Sequence, residues 1–167
     1  MTGAALHRLS QFWRHSAARV TAAELNRART ILGPDLSGFF ADLPVNDQRH
    51  GLDVLETVDQ SVTHPPSLLQ QAALLHDMGK VGAGFSIVER SLTVLLQSLA
   101  PRLLRELLRA RPAFARRYAI YADHARIGAE RLRAAGATEL ASVVAEHHVT
   151  HPEHEVTRLL QRADHAN

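Results

Sequence analysis

An adjacent histidine and aspartate, His76 and Asp77, follow the segment SLLQQAALL and are the residues of this sequence best suited to chemistry. The segment contains no charged residue and predicts a buried helix, so an imidazole and a carboxylate at its end are costly unless something satisfies them. Hydrogen bonds to the backbone and to the next segment are one solution. Ligation of a divalent cation is the other, and the dipeptide alone does not decide between them.

Further histidines and one aspartate fall at predicted helix ends or on an inner helix face, where they could join the same site. They are His50, His124, His147, His148 and Asp164. Each alone has an ordinary explanation as a core or surface residue, or as a histidine that interacts favourably with a helix dipole. Since adjacent helical residues point about 100° apart, His147 and His148 can address one site only at a fraying helix end.

Composition limits both the class of protein and the kind of metal site. The 167-residue chain has no cysteine, so any metal must bind through His, Asp or Glu. Hydrophobic residues make up 46% and aromatic residues 5%, while Ala, Leu and Arg are abundant, which favours a helical globular domain. No stretch reaches the ~18 apolar residues of a membrane span, and no signal sequence is recognisable. We therefore expect a cytoplasmic protein without a membrane partner.

Charge gives little indication of a partner. The net charge at pH 7 is only +2, so a nucleic-acid partner is not predicted from bulk charge, and the oligomeric state stays open. The arginine-rich segment 102–117 is typical of a solvated helix face, with a phosphate-facing patch as the alternative.

The elements that would position these residues are all helices, nine or ten in number. Residues 4–31 predict one long amphipathic helix or two shorter ones, with a capping box at Thr21 and Glu24 and an end at Gly33-Pro34. A short helix is expected over 36–42. Further helices are expected from Asn46 or Asp47 to about Val62, and from Ser67 to Met78 with Gly79 as the C-terminal cap. The latter, apolar on most sides, should be the central helix.

The second half of the chain continues in the same way. Helices are predicted over 86–100, capped by Ser86 and Glu89, then over 101–110, 112–121, 123–135, 138–148 and 152–166. The resulting prediction is an all-α, single-domain helical bundle. Residues 1–45 form an N-terminal helical extension to a core of residues 46–167.

Taken in order, the histidine and aspartate pattern resembles the HD-domain superfamily of metal-dependent phosphohydrolases, which is named for the dipeptide. The resemblance covers about residues 46–165, and LLHDMGK is its most specific part. The matching segments are DQRHGLDVL, LLHDMGK, DHARIGAERL, VVAEHH and LLQRADHAN.

The resemblance implies two metal sites that share one aspartate. The residues of the first site would be His50, His76, Asp77 and Asp164. Those of the second would be His124, His147 and His148, with Asp77 bridging. One or two divalent transition-metal ions are therefore expected, from among Mn, Fe, Co, Ni and Zn. The ligand set is similar to that of the HD-GYP subclass, but the Gly-Tyr-Pro motif of that subclass is absent, which argues against cyclic di-GMP as the substrate.

The resemblance also implies catalytic and substrate-binding roles. Asp77 and Lys80 are the expected catalytic residues. Lys80, the only lysine of the chain, matches a position that commonly contacts substrate phosphate, and Arg126 is a second phosphate-binding candidate. The expected reaction is hydrolysis of a phosphomonoester or phosphodiester bond of a nucleotide-like small molecule by metal-activated water.

Two other interpretations compete with an enzyme. One is a catalytically silent HD module that binds a nucleotide or a protein as a regulator, and the other is a structural domain with incidental histidines. Silent members typically lose metal ligands, whereas this chain keeps a residue at every ligand position, so an enzyme is the favoured interpretation.

Overall fold

The computed structural model describes residues 19–167, and the regular secondary structure of this part of the chain is all helical, which confirms the all-α prediction. The described residues form nine α-helices and one 3-10 turn, Met78–Lys80, and no β-strand. The helices are α1 (Ala22–Ala41), α2 (Val45–Ser61), α3 (Ser67–Leu75), α4 (Ile87–Leu99), α5 (Pro101–Ala110), α6 (Pro112–Ala122), α7 (His124–Ala134), α8 (Thr138–Glu146) and α9 (Glu155–Ala166). Among these helices, none combines the length and the apolar character that crossing a bilayer requires. The helix expected from residue 4 lies partly outside the described residues.

The two predicted capping boxes are present at the starts of their helices. Thr21 and Glu24 form a reciprocal capping box at the start of α1, and Ser86 and Glu89 form another at the start of α4. Helix α1 does not end at Gly33. The backbone leaves the helical region there, with φ of 68°, and the helix resumes after Pro34, so the short helix expected over 36–42 is the second half of a kinked α1.

Three further predicted boundaries were wrong, two of them directly at predicted metal ligands. Helix α3 ends at Leu75 rather than Met78, α8 ends at Glu146 rather than His148, and α9 begins at Glu155 rather than Pro152. Continued helices would point adjacent side chains about 100° apart. Because α3 and α8 end early, the backbone can turn both members of each adjacent pair toward a common centre.

Helix α3 occupies the middle of the core, as the sequence predicts. Its residues Leu69, Ala72, Ala73, Leu74 and Leu75 are all buried. It packs against α1, α2, α8 and α9, so the chain surrounds it on most sides. Helix α1 belongs to the same core, to which it contributes four buried side chains: Ala28, Leu32, Leu36 and Phe40.

Helices α4, α5 and α6 form a less buried unit between the 3-10 turn and α7. Leu92 and Leu95 of α4 are about half exposed, and Leu99 is 75% exposed. An apolar groove of about 420 Å³ lies among the three helices, with Leu96 and Phe114 in its lining. None of the predicted metal ligands lines this groove.

Gly79 fixes how closely the 3-10 turn approaches α7. A Cβ atom at this position would lie 1.9 Å from the carbonyl oxygen of His124 and 2.8 Å from the backbone nitrogen of Gly128. The predicted role of Gly79 as the C-terminal cap of α3 is wrong, because α3 ends at Leu75, and the φ of Gly79 is not positive. Instead, the missing side chain lets the turn after Asp77 lie directly on the helix that begins with His124.

We predict that Gly79→Ala lowers the free energy of unfolding by about 2–3 kcal/mol, because two backbone segments must separate to admit one methyl group. Gly38→Ala is the matched control. An added Cβ at Gly38 meets nothing within 4 Å, so this change should raise the free energy of unfolding by about 0.5–1 kcal/mol. Urea denaturation of both variants measures the difference, and equal stabilities would contradict the role assigned to Gly79.

Candidate metal centre

Three elements bring the first group of predicted ligands together. His50 comes from α2, His76 directly follows α3, and Asp164 lies in the last turns of α9. The Nε2 atom of His50 is 2.9 Å from Oδ1 of Asp164, and Nε2 of His76 is 3.6 Å from the same oxygen. One donor atom from each residue lies within 4.8 Å of the others. This spacing is small enough for a single metal ion to contact all three.

The second group consists of three histidines. His124 begins α7, and His147 and His148 directly follow α8, which packs closely against α7. The Nε2 atom of His124 is 3.2 Å from Nε2 of His147 and 3.0 Å from Nε2 of His148. These donors also lie within 4.8 Å of one another and could hold an ion.

The carboxylate of Asp77 lies between the two groups and presents one oxygen to each. Its Oδ2 atom is 3.7 Å from Nε2 of His76 and 3.9 Å from Nε2 of His50. Its Oδ1 atom is 3.2 Å from Nε2 of His124 and 4.0 Å from Nε2 of His147. A carboxylate in this position can bridge two cations.

Backbone carbonyls set the orientation of three of the imidazoles. The Nδ1 atoms of His76, His124 and His147 each donate to the carbonyl oxygen three residues earlier, at 3.1, 2.8 and 2.6 Å. Because a carbonyl can only accept, the proton lies on Nδ1, and the Nε2 lone pair points into the centre, as metal-binding histidines require. The Nε2 atom of His76 is buried and has no hydrogen-bond partner, which a metal ion would supply.

The two aspartates are held in their ionised, metal-binding form. Burial opposes ionisation of Asp77, but the charges of Lys80 and His76 outweigh it and hold its pKa well below the usual range. Burial also opposes ionisation of Asp164. The hydrogen bond from His50 and the nearby charge of His76 overcome that effect and lower the pKa of Asp164.

Burial and neighbouring charges shift the pKa values of three of these histidines in different directions. Burial lowers the pKa of His147 to about 3 and also lowers the pKa of His148, so both are neutral at neutral pH. Burial opposes protonation of His76 as well, but the charges of Asp77 and Asp164 outweigh it and raise its pKa. A metal ion bound at His76 would take the place of that proton.

The donor set fits divalent transition metals. It contains imidazole nitrogens and carboxylate oxygens and no sulfur, a combination that suits Mn, Fe, Co, Ni or Zn. Two ions would be held by the groups described above with Asp77 between them. These metal-binding roles stay predictions, since the arrangement of the side chains shows only that the residues could hold an ion.

The two predicted phosphate-binding residues lie in different surroundings. Lys80 Nζ donates to Oδ2 of Asp77 at 2.5 Å and lies 5.7 Å from the centre of the Tyr121 ring. Burial opposes its charge, but Asp77 outweighs burial and raises the pKa of Lys80. Arg126 is largely exposed, and its guanidinium pairs with Asp123 and Glu130 rather than with a residue of the two ligand groups. Its role in phosphate binding stays a prediction.

A buried ion pair that the sequence analysis did not identify lies beside the centre. Asp47 is 3% exposed and accepts two hydrogen bonds from the guanidinium of Arg90, one of them at 2.7 Å. This pair joins α4 to α2 one turn before His50. Asp47 was interpreted as a possible helix cap. Asp47 lies three residues before His50, so the two side chains are neighbours on the surface of α2. This spacing was the signal in the sequence that Asp47 lies beside the predicted site.

We predict that the purified protein binds up to two transition-metal ions per chain and that Asp77→Ala loses both, because one carboxylate serves both groups. His124→Ala should lose only the second ion. Elemental analysis after dialysis measures the stoichiometry.

His154→Ala is the control for this experiment, since His154 is exposed and pairs with Glu146 outside both groups. It should keep the metal content of the unmodified protein. Full metal retention by Asp77→Ala would show that the bridging role is wrong, and one ion that is insensitive to His124→Ala would show that only the first group binds metal.

Comparison with known proteins supports the same kind of site. The family model described as Cas3, HD domain, matches residues 42–167, which is well over half of the chain and includes every predicted metal ligand. No curated protein and no solved structure matches the chain. HD domains generally bind divalent metals and act as metal-dependent hydrolases. The chain therefore belongs to the Cas3 HD-domain family, which confirms the HD-domain resemblance.

Proposed function

We propose that this protein is a metal-dependent phosphohydrolase that cleaves a phosphodiester bond in a nucleotide substrate. One observation carries the proposal: the buried carboxylate of Asp77 directs one oxygen toward each of two separate groups of metal-binding side chains. Divalent cations held by these two groups would supply binding of phosphate oxygens, a lowered pKa of water and stabilisation of the charge that develops during phosphoryl transfer.

The chain's own residues supply orientation and charge. The hydrogen bonds from Nδ1 of His76, His124 and His147 to backbone carbonyls hold the rings in one orientation, so little reorganisation is needed during the reaction. Lys80 cannot ligate a metal, because its ammonium has no acceptor. Its Nζ, which donates to Oδ2 of Asp77, lies beside the two ligand groups and could contact a substrate phosphate at the edge of the site.

The choice of a diester over a monoester rests on the family. The Cas3 HD domain is a nuclease, and nucleases cleave phosphodiester bonds. The small net charge of +2 does not by itself predict a nucleic-acid partner. We propose that local rather than net charge decides binding here and that the substrate is a nucleotide chain.

Turnover of bis-p-nitrophenyl phosphate with Mn²⁺ tests the function directly. We expect release of p-nitrophenol that EDTA abolishes and that Asp77→Ala reduces by several orders of magnitude, because both metal groups depend on that carboxylate. Stoichiometric metal binding without turnover of this ester or of an oligonucleotide would contradict the proposal that the protein is an enzyme. It would support the catalytically silent regulator instead.

We predict that Lys80→Ala keeps its metal content and fold but loses about ten- to a hundredfold in kcat/KM. A charge-assisted hydrogen bond to phosphate contributes roughly 1.5–3 kcal/mol, which corresponds to that loss. Lys80→Arg is the matched variant. It retains the charge with a different geometry and should recover part of the activity. Steady-state kinetics and elemental analysis on the same preparations separate the roles, and loss of metal together with the fold would show that Lys80 is structural.

A further inference from the structure

A polar cavity of about 350 Å³ lies between the loop after α8 and one face of α9. Its size is in the lower part of the range of ligand pockets, roughly 300–1,000 Å³. No carboxylate lines it within the described part of the chain. The side chains that could meet a ligand are basic or can donate hydrogen bonds: His151, Arg158, Gln161, Arg162 and His165.

Both walls of this cavity are shared with the candidate metal centre. The loop continues directly from His147 and His148, and α9 carries Asp164. The side-chain nitrogen of Gln161 donates to the carbonyl oxygen of His147 at 3.1 Å and to that of Val149 at 2.8 Å, which joins the loop to the helix. Gln161, which lines the cavity, lies three residues before Asp164 on α9. Residues three apart on a helix have Cβ atoms about 5–6 Å apart, so the cavity begins beside Asp164.

The two arginines of the cavity are held differently. Arg158 donates from Nη1 to the carbonyl oxygen of Pro152 at 3.0 Å, so its guanidinium is fixed against the loop. Arg162, one helical turn later, makes no hydrogen bond or ion pair with any residue that the structure describes, and it is exposed. Like charges four residues apart repel each other, and an anion between them would relieve that repulsion.

We propose that this cavity is a second phosphate-binding subsite, which holds a non-scissile phosphate of the nucleotide chain whose scissile phosphate lies at the metal centre. The inference rests on the proposed function and adds to it the place at which a second phosphate of the nucleotide chain would bind. It also assigns discrimination between a nucleotide chain and a small ester to Arg158 and Arg162, neither of which belongs to the predicted metal site.

The test compares Arg162→Gln with Arg133→Gln. Arg133 is exposed in the last turn of α7, at the opposite end of that helix from His124, so both changes remove one exposed charge. Arg158 is left unchanged, because its bond to Pro152 gives it a structural role as well. The two substrates are bis-p-nitrophenyl phosphate and a short single-stranded oligothymidylate.

We expect Arg162→Gln to lower the ratio of kcat/KM for the oligothymidylate to that for the small ester by roughly two- to fivefold, since an exposed ion pair contributes modestly. The slope of log kcat/KM for the oligothymidylate against log salt concentration is expected to be negative. Its magnitude should be smaller by about 0.7 in Arg162→Gln, the value for one phosphate contact on a single strand. Arg133→Gln should change neither quantity. An equal loss on both substrates, no loss in Arg162→Gln, or the same loss in Arg133→Gln would overturn the subsite.

A binding measurement separates failure of this inference from failure of the proposed function. Fluorescence anisotropy of labelled oligothymidylate in EDTA reports binding without turnover. Weaker binding by Arg162→Gln than by Arg133→Gln supports the subsite, even if the unmodified protein does not hydrolyse bis-p-nitrophenyl phosphate. Equal binding by the two variants would overturn the subsite, whatever the activity of the protein.

Discussion

Burial of the Asp77 carboxylate, ionised and with imidazole nitrogens on both sides, is the constraint to which the surrounding structure conforms. Four histidines place Nε2 within 4.0 Å of its oxygens, and Lys80 donates to it. A buried charge without such partners would cost several kcal/mol, so these residues must arrive together for the core to form. The same requirement suits the site to a cation, because a divalent ion would compensate a buried carboxylate more completely than imidazoles do.

Helix ends satisfy this constraint. Helices α3 and α8 end directly before His76 and His147, and α7 begins at His124. Carbonyl groups in the last turn of a helix have no partner within the helix, and here they accept the Nδ1 hydrogens of these three histidines. Each interaction therefore serves two purposes, since it satisfies a free carbonyl and directs Nε2 toward the centre. The close approach at Gly79 brings two of these helix ends together.

Helices α4 to α6 attach to this centre through charged contacts more than through apolar burial. Arg90 reaches the buried Asp47 on α2, and Arg117 donates to the carbonyl oxygen of Ala83, in the loop after the 3-10 turn, at 2.9 Å. The leucines of α4 remain largely exposed. Ion pairs are directional, so they fix the position of the three-helix unit relative to His50 and Lys80 while contributing less stability than a hydrophobic interface of the same extent.

The sequence by itself determined the fold class and the set of residues that could form the site. Helical periodicity, two capping boxes and prolines at helix starts depend on local interactions, so Thr21-Glu24, Ser86-Glu89, Pro101 and Pro112 act as predicted. Only the tertiary structure decided where α3 and α8 end, because those ends depend on contacts between residues distant in the chain. The same holds for the burial of Asp47 against Arg90, for the close approach at Gly79 and for the division of the donors into two groups about Asp77. Residues 50, 77, 124 and 164 meet because α2, α8 and α9 pack around α3 and α7 packs on the turn that follows α3. No local pattern encodes the distances between them.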